Sequence, residues 1–543
     1  MPDRTLAAPA DEHPAEPSSG VAPRRRRLAL NTAIFSAATG LSRIAGLVRE
    51  VVASSYFGTG GPFSAFTLAF QIPNLVRSLV ADAALSAAFV PVFTELLEKG
   101  RRQEAFRLAS TLFFLILAGL GAITALFILG AGLIMPLFTG HTFTPELDHL
   151  TVGLSRVLFP IVVLLGLNGL VTGILNSFDH FSIPAIAPLV WNAIIIVALI
   201  VLKPLFHGPD QLYAYAIGVL AGTVVQFGMA LPVLRRHGFG LTLACDWRDP
   251  RVTQVFKLML PVTIGLGVIN FDLVINSSLG SLVSQSAPRA IDAAFRIYML
   301  PQGMFSVALA TVLFPALSRF AARRDYEGLR RMMGSGVRQI FLLLIPAAAF
   351  TLALATPITR LVYQRGAFGP SSTHEVALAL FWFSFSLPFA GANLLLTRTF
   401  FSLQKPWTPT ALAAANLVAN AILSVALYKP LGIAGLVIGT AVASIGMAIG
   451  QAWALRRRLG PLDERRTLIA LAQMLVAAAA LGGVGWVVWS ALDTVFGRSF
   501  IAQAVAVGTA LVAGTLVYCG LVLLARIPEA VQLERLIARR GRG

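Results

Sequence analysis

Long apolar stretches recur along the chain at intervals that leave only short polar connections between them. With about 20 apolar residues needed per membrane crossing, the pattern predicts fourteen spans, at 30–54, 63–94, 105–137, 151–176, 184–203, 212–234, 255–283, 291–320, 337–363, 374–401, 408–428, 432–455, 467–492 and 500–525. Residues 1–27 are rich in Pro, Ala, Ser and acids and show no apolar period, so a disordered tail is expected there, closed by Arg24 to Arg27. The run after it is too long for the core of a cleaved signal peptide and contains Arg43, Arg49 and Glu50, which makes it a retained first helix. The expected fold is an all-α polytopic membrane protein.

Composition supports this class. Of 543 residues, 56% are apolar and 13% charged, with a mean hydropathy of +0.77, and a water-facing core cannot hide so much apolar surface. Cys245 and Cys519 form neither a disulfide framework nor a zinc pattern. The net charge of +18 is topological rather than a sign of nucleic-acid binding. Most bases fall on even-numbered connections and the C-terminal tail, whereas odd connections carry only Lys203, Arg289, Arg365, Lys429 and Arg498. Both termini are therefore expected in the cytoplasm.

The chain also resembles itself. A shift of 225 residues places Asn168 on Asn393, Ser177 on Ser402 and Pro184 on Pro409. Pro73 and Pro91 fall near Pro301 and Pro315, and Ile217-Gly218 before Arg235-Arg236 resembles Ile438-Gly439 before Arg456 to Arg458. Two parallel six-helix repeats follow, with two C-terminal helices outside them and a substrate site expected between the lobes. The expected divisions are a lobe at 28–238, a lobe at 250–460, two further helices at 465–526 and a basic cytoplasmic tail at 527–543.

Ionisable residues at membrane depth are costly and mark a pathway or binding site. Arg43 lies about 22 Å into the first span at 1.5 Å per residue, too deep to reach the surface easily. Ser42, Gly46 and Arg49 share a broad polar face with Arg43 and Glu50. Arg77 follows Asn74 deep in the second span, with Asp82 about one turn on, and Arg296 lies within the eighth. Arg43, Arg49, Arg77 and Arg296 outnumber Glu50 and Asp82, so the cavity they line is cationic, and the guanidinium fork suits a phosphate or diphosphate. Buried ion pairing is the structural alternative. Arg156 reads more simply as a helix-packing residue, and Arg398 as one near the cytoplasmic end of the tenth span. In the seventh span, Asn270, Asp272 and Asn276 form a polar cluster that suits either a coupling cation or hydrogen bonding between helices. The prolines are assigned to kinks and gating. No phosphate-binding glycine loop, metal-ligand spacing or catalytic constellation occurs, so no catalytic residue, metal or cofactor is expected. An ion gradient, the membrane potential or substrate flux is left to drive any work.

Leu41-Ser42-Arg43-Ile44-Ala45-Gly46-Leu47-Val48-Arg49-Glu50, Pro73-Asn74-Leu75-Val76-Arg77 and Ser86-Ala87-Ala88-Phe89-Val90-Pro91 resemble the first two helices of the MurJ (MviN) family of lipid II flippases. Gly173 to Asn176 with Phe181 to Pro184, Arg365 to Phe368, and Arg398 to Phe401 before Thr408-Pro409 continue the likeness in the same order. The resemblance covers about residues 30 to 525. It implies the fold of the superfamily that includes multidrug and polysaccharide exporters, with the two extra helices forming a groove for a polyprenyl tail. It also implies transport of undecaprenyl-diphosphate-linked disaccharide-pentapeptide across the bacterial inner membrane by alternating access. Lipid II, membrane lipid and cell-wall synthesis proteins are the expected partners, and nothing in the sequence requires more than a monomer. The family's cavity arginines map onto Arg43, Arg49, Arg77 and Arg296. Two positions depart from the family pattern, Ser64, where relatives often carry Asp, and Phe295, where some do. Other readings are a flippase for a different polyprenyl-diphosphate sugar and a non-transporting membrane scaffold.

Overall fold

A computed structural model describes residues 21–80, 82–178, 180, 182–242, 246–532 and 534, without the side chains of 21–37, 39, 77–80, 82–87, 261–262 and 264–270. Every regular element among them is helical. The first lobe contains α1 (Val21–Phe57), α2 (Gly61–Val80), α3 (Asp82–Glu98), α4 (Arg102–Ile134), α5 (Pro145–Leu158), α6 (Ile161–Ser177), α7 (Ser182–Leu202) and α8 (Leu212–Arg236). The second contains α9 (Pro250–Val283), α10 (Ala287–Pro301), α11 (Val307–Ala322), α12 (Tyr326–Ala353), α13 (Ala355–Tyr363), α14 (Pro370–Ser384), α15 (Leu387–Ser402) and α16 (Trp407–Leu459). The chain continues through α17 (Glu464–Phe496) and α18 (Phe500–Leu524).

Nine helices among the described residues are long and apolar enough to cross a membrane, ten if α14 and α15, bent by 49°, form one span. The 53 residues of α16 are two crossings joined at Gly432, whose φ of 56° and ψ of −132° break the helix. Proline shapes several others. Pro301 precedes a π-helical turn, Gln302–Ser306, which links α10 to α11. With α2 and α3, α5 and α6, α10 and α11, and α12 and α13 each read as one interrupted crossing, the order of elements is consistent with fourteen spans.

Two boundaries differ from the sequence expectation. Helix α1 begins at Val21, so Arg24 to Arg27 lie on a helix rather than in a tail. The stretch after α18 is not merely a basic tail, because Ile527, Glu529 and Ala530 are buried and Glu529 Oε1 accepts a hydrogen bond from Arg338 Nε of α12 at 2.6 Å. Its apolar positions and single buried acid dock it. Residues 1–20 and 535–543 lie outside the described residues.

Each lobe has its own apolar core. Phe66 stacks on Tyr215 at 4.3 Å in the first, and Tyr298 packs on Phe383 at 5.4 Å in the second. Helices α17 and α18 pair and rest on the second lobe, where Tyr518 Oη donates to the Leu342 carbonyl at 3.0 Å. The linker between lobes is clamped to α4: Arg251 bridges Asp249 at 2.7 Å and Glu104 at 2.8 Å. The hydrogen bond from Arg251 holds the Asp249 carboxyl below its usual range.

Candidate functional site

The polar face of α1 lies beside α7. Gly46 permits the approach, since a Cβ there would stand 3.8 Å from Asn192 Oδ1, and Asn192 Nδ2 donates to the Pro188 carbonyl at 2.8 Å. One turn on, the Arg49 guanidinium sits over the Trp191 ring, 4.8 Å from its centre. Glu50, the next residue, is buried and faces the second lobe.

What it faces is one side of α10, where Arg289, Asp292 and Arg296 recur at i, i+3 and i+7. Arg289 is 1% exposed and pairs with the Glu50 carboxylate. It also donates to Asp292 Oδ2 and Ser54 Oγ, both at 2.8 Å, and lies 4.0 Å from the centre of the Phe63 ring. Arg296 donates from Nε to Asp292 Oδ2 at 2.9 Å, while its Nη1 is 3.4 Å from Glu50 Oε2. Arg296 keeps 35% of its side chain exposed, so this guanidinium has donors left for a ligand.

Arg289 is therefore not a connection residue, as the charge pattern suggested. The helix starts at Ala287, one turn earlier than the apolar run indicates, and draws Arg289 inside. Asp292 was also missed. Its i, i+4 spacing to Arg296 and i, i+3 spacing to Arg289 was the available signal.

Arg43 is exposed, and its guanidinium lies over Gly303 of the π-helical turn, where a Cβ would come within 3.3 Å of Nη1. Arg43 of the first lobe thus meets the second lobe at the turn that follows the helix of Arg296. Ser42 and Asn74 are half-buried. The side chains of Arg77, Asp82 and Asn270 lie outside the described residues. Arg49, Arg289 and Arg296 face two carboxylates, Glu50 and Asp292, and Arg43 adds a further positive charge. The described site is cationic.

Past this cluster, away from the termini, the lobes are stitched together. The Ala367 N–H donates to the Ser55 carbonyl at 2.7 Å, and Thr59 Oγ1 donates to Ser372 Oγ at 2.7 Å. Thr142 Oγ1 donates across the seam to the Ser281 carbonyl at 2.5 Å, and on the second lobe's own side Ser286 Oγ donates to Glu375 Oε1 at 2.9 Å. Gly58 and Gly366 stand in the left-handed region at φ 61° and 57°, each against a carbonyl of the opposite lobe, Ala367 and Ser55. A side chain at either would clash and part the seam.

Asp272 belongs to a second polar site. Asn420 Nδ2 donates to it at 2.5 Å and Asn276 Nδ2 at 3.3 Å, and Thr440 Oγ1 donates to Asn420 Oδ1 at 3.2 Å. Asn420 and Thr440 come from α16, more than 140 residues away, and only the fold brings them to α9. One carboxylate among amide and hydroxyl oxygens suits a hard cation rather than a transition metal.

An apolar groove of about 820 Å³ runs between α10, α12, α13, α17 and α18. Ile297 and Met304 line it, each immediately after a residue of the cationic space, Arg296 and Gly303. Arg156 and Arg398 sit elsewhere, the first donating to the Ile128 carbonyl at 3.3 Å and the second 5.2 Å from the centre of the Phe314 ring.

Residues 53–506 match the family model described as lipid II flippase MurJ. The chain belongs to the MurJ family. A probable lipid II flippase MurJ of Vibrio cholerae is 30% identical over 481 residues, covering 86% of this chain and 90% of that one. The lipid II flippase MurJ of Burkholderia cenocepacia is 30% identical over 451 residues, 82% and 87% of the two chains. Among solved structures, a lipid II flippase MurJ in an inward closed conformation aligns with a TM-score of 0.75 at 22% identity, over 91% of this chain and 99% of that one. An inward-facing multidrug resistance MATE family transporter of the MOP superfamily aligns with a TM-score of 0.67 at 17% identity, over 78% and 96%. These two likenesses support the fold.

Ser64 and Phe295, where the resemblance implies Asp, each have a structural counterpart. Ser64 Oγ accepts the Arg289 backbone N–H at 3.3 Å, and the carboxylate for the Arg289 side chain comes from Glu50. Phe295 packs 5.7 Å from Tyr298 and from Phe383, and Asp292 supplies the acid that Arg296 needs.

Proposed function

We propose that this chain moves lipid II, the undecaprenyl-diphosphate-linked peptidoglycan precursor, from the inner to the outer leaflet of the bacterial cytoplasmic membrane by alternating access. The observation that carries this is the division of α10 into two faces. Arg296 opens on the cationic space and Ile297 on the apolar groove, so a charged head and a long tail are held by adjacent residues. Arg43, Arg49 and Arg296, with Arg77, hold the diphosphate, Ser42 and Asn74 assist, and Gly46 keeps room for the approach. Arginine stays charged when desolvated and matches phosphate oxygens with parallel donors. The groove receives the polyprenyl tail.

In this reading the termini are cytoplasmic, following the basic connections, and the stitched seam closes the route to the outer leaflet. The Asp272 network is the candidate cation site through which an ion gradient or the membrane potential drives the cycle. The chain works as a monomer, and cell-wall synthesis proteins are its expected partners.

Complementation tests the reading. The chain is expressed in a bacterium depleted of its own lipid II flippase, and lipid II accessible to an externally added cleaving enzyme is measured. Restored growth with exposed lipid II is expected, and Arg43→Ala or Arg296→Ala should abolish both while membrane insertion persists. Protein that reaches the membrane without exposing lipid II contradicts the substrate, and full activity of both variants contradicts the site.

A further inference from the structure

The two lobes are repeats, yet they treat one internal position differently. In the second lobe, α15 and the last part of α16 close on each other: Gln451 is fully buried and its Nε2 donates to Thr397 Oγ1 at 3.0 Å, while Asn393 Nδ2 donates to the Ser444 carbonyl at 3.0 Å. The shift of 225 residues puts Asn168 and Thr172 of α6 at the places of Asn393 and Thr397. Beyond the α7–α8 connection the shift becomes 221, set by Ile217-Gly218 against Ile438-Gly439. The packing agrees, because Gly218 faces Ile195 and Gly439 faces Asn420, which is Ile195 shifted by 225. The counterpart of Gln451 is then Ala230.

With Gln451 replaced by Ala230, Leu394 by Gly169 and Leu412 by Ala187, the first lobe lacks the side chains that fill this place in the second. A cavity of about 280 Å³ remains between α6, α7 and α8. Asn168, Thr172 and Gln226 line it, and none of their side chains makes a hydrogen bond among the described residues. Pro188, also on its wall, lies one helical turn, about 5.4 Å, from Asn192, the residue that touches Gly46 of α1. The cavity therefore lies one turn along α7 from the point where α7 meets the helix that carries Arg43 and Arg49.

We infer that this cavity is a subsite for a neutral, amide- and hydroxyl-bearing part of the transported head, of which an acetamido sugar is the matching chemistry. The inference rests on the proposed flippase function. Two carboxamides and a hydroxyl offer donors and acceptors together and no net charge, which suits a sugar and not a phosphate or an ion. Ligand pockets usually span about 300–1,000 Å³, so this one holds a single ring and leaves the rest of the head in the space between the lobes. A diphosphate on the arginines of α1 places the attached sugar beside it.

Binding of two probes to the purified full chain tests this: undecaprenyl diphosphate, and undecaprenyl diphosphate carrying an N-acetylated disaccharide. The parent is expected to bind the sugar-bearing lipid about tenfold tighter, the order expected for one or two hydrogen bonds. Ala230→Gln, which installs the second lobe's own filler, should erase that preference and leave undecaprenyl diphosphate binding as it was. Asn168→Ala, which leaves the cavity open, should weaken the preference and serves if Ala230→Gln does not fold. A preference retained in both variants, or an equal loss for both lipids, refutes the subsite. Equal binding of both lipids by the parent refutes the subsite alone, and binding of neither refutes the flippase function with it.

Discussion

Glu50 of α1 and Arg289 of α10 pair across the boundary between the lobes with side chains only 2% and 1% exposed. Neither charge can return to water without the lobes parting there, so the pair acts as a latch on the seam. Removing one partner of such a pair costs about 3–5 kcal/mol, because the other charge stays buried. Glu50→Gln is expected to lower the thermal midpoint in detergent markedly. Arg289→Met added to Glu50→Leu should recover most of that loss, and additive losses in the double variant would show that the two residues are uncoupled.

Gly303 faces Arg43 closely, a Cβ there standing 3.3 Å from Nη1, so a bulky side chain must displace the guanidinium. Gly303→Leu should push the guanidinium away, keep the helix and its insertion, and reduce lipid II exposure in the complementation assay by tenfold or more, on the order of 1.4 kcal/mol. Unchanged exposure would mean that Arg43 and the π-helical turn do not line the path together.

Asp272 receives donors from Asn420 and Asn276 and has one carboxylate to offer a cation. In the parent, lithium, sodium or potassium chloride should raise the thermal midpoint relative to choline chloride at equal ionic strength. Asp272→Asn should flatten that response, since it removes the charge and keeps the shape. A cation response that survives the substitution places the ion elsewhere.

Leu511 of α18 lines the apolar groove. Leu511→Trp should narrow it and weaken binding of undecaprenyl diphosphate more than that of a short-chain polyprenyl diphosphate. An equal effect on both would separate the groove from the tail.

Much of the site was legible because charge inside a membrane is conspicuous. Arg43, Arg49, Glu50 and Arg296 stand out in two apolar runs, the first and the eighth, where charges have no ordinary use. Arg289 did not stand out, because it sits at the edge of its run, and edge bases ordinarily belong to connections. Asp272 was visible as a polar residue on one helix. Its partners Asn420 and Thr440 were not, because hydrogen bonds between distant helices leave no local spacing.

The sequence alone determined that the chain is helical and membrane-embedded and that a cationic face lies on its first helix, since these are local properties of hydrophobicity and spacing, and its match with itself at a shift of 225 residues showed two halves. Tertiary structure decided the rest. It set Glu50 against Arg289, put Arg296 beside Glu50 and Ile297 on the adjoining face that lines the groove, and left open in one lobe the space that Gln451 fills in the other. Such relations depend on which helices meet and at what depth, and that is settled by packing across hundreds of residues.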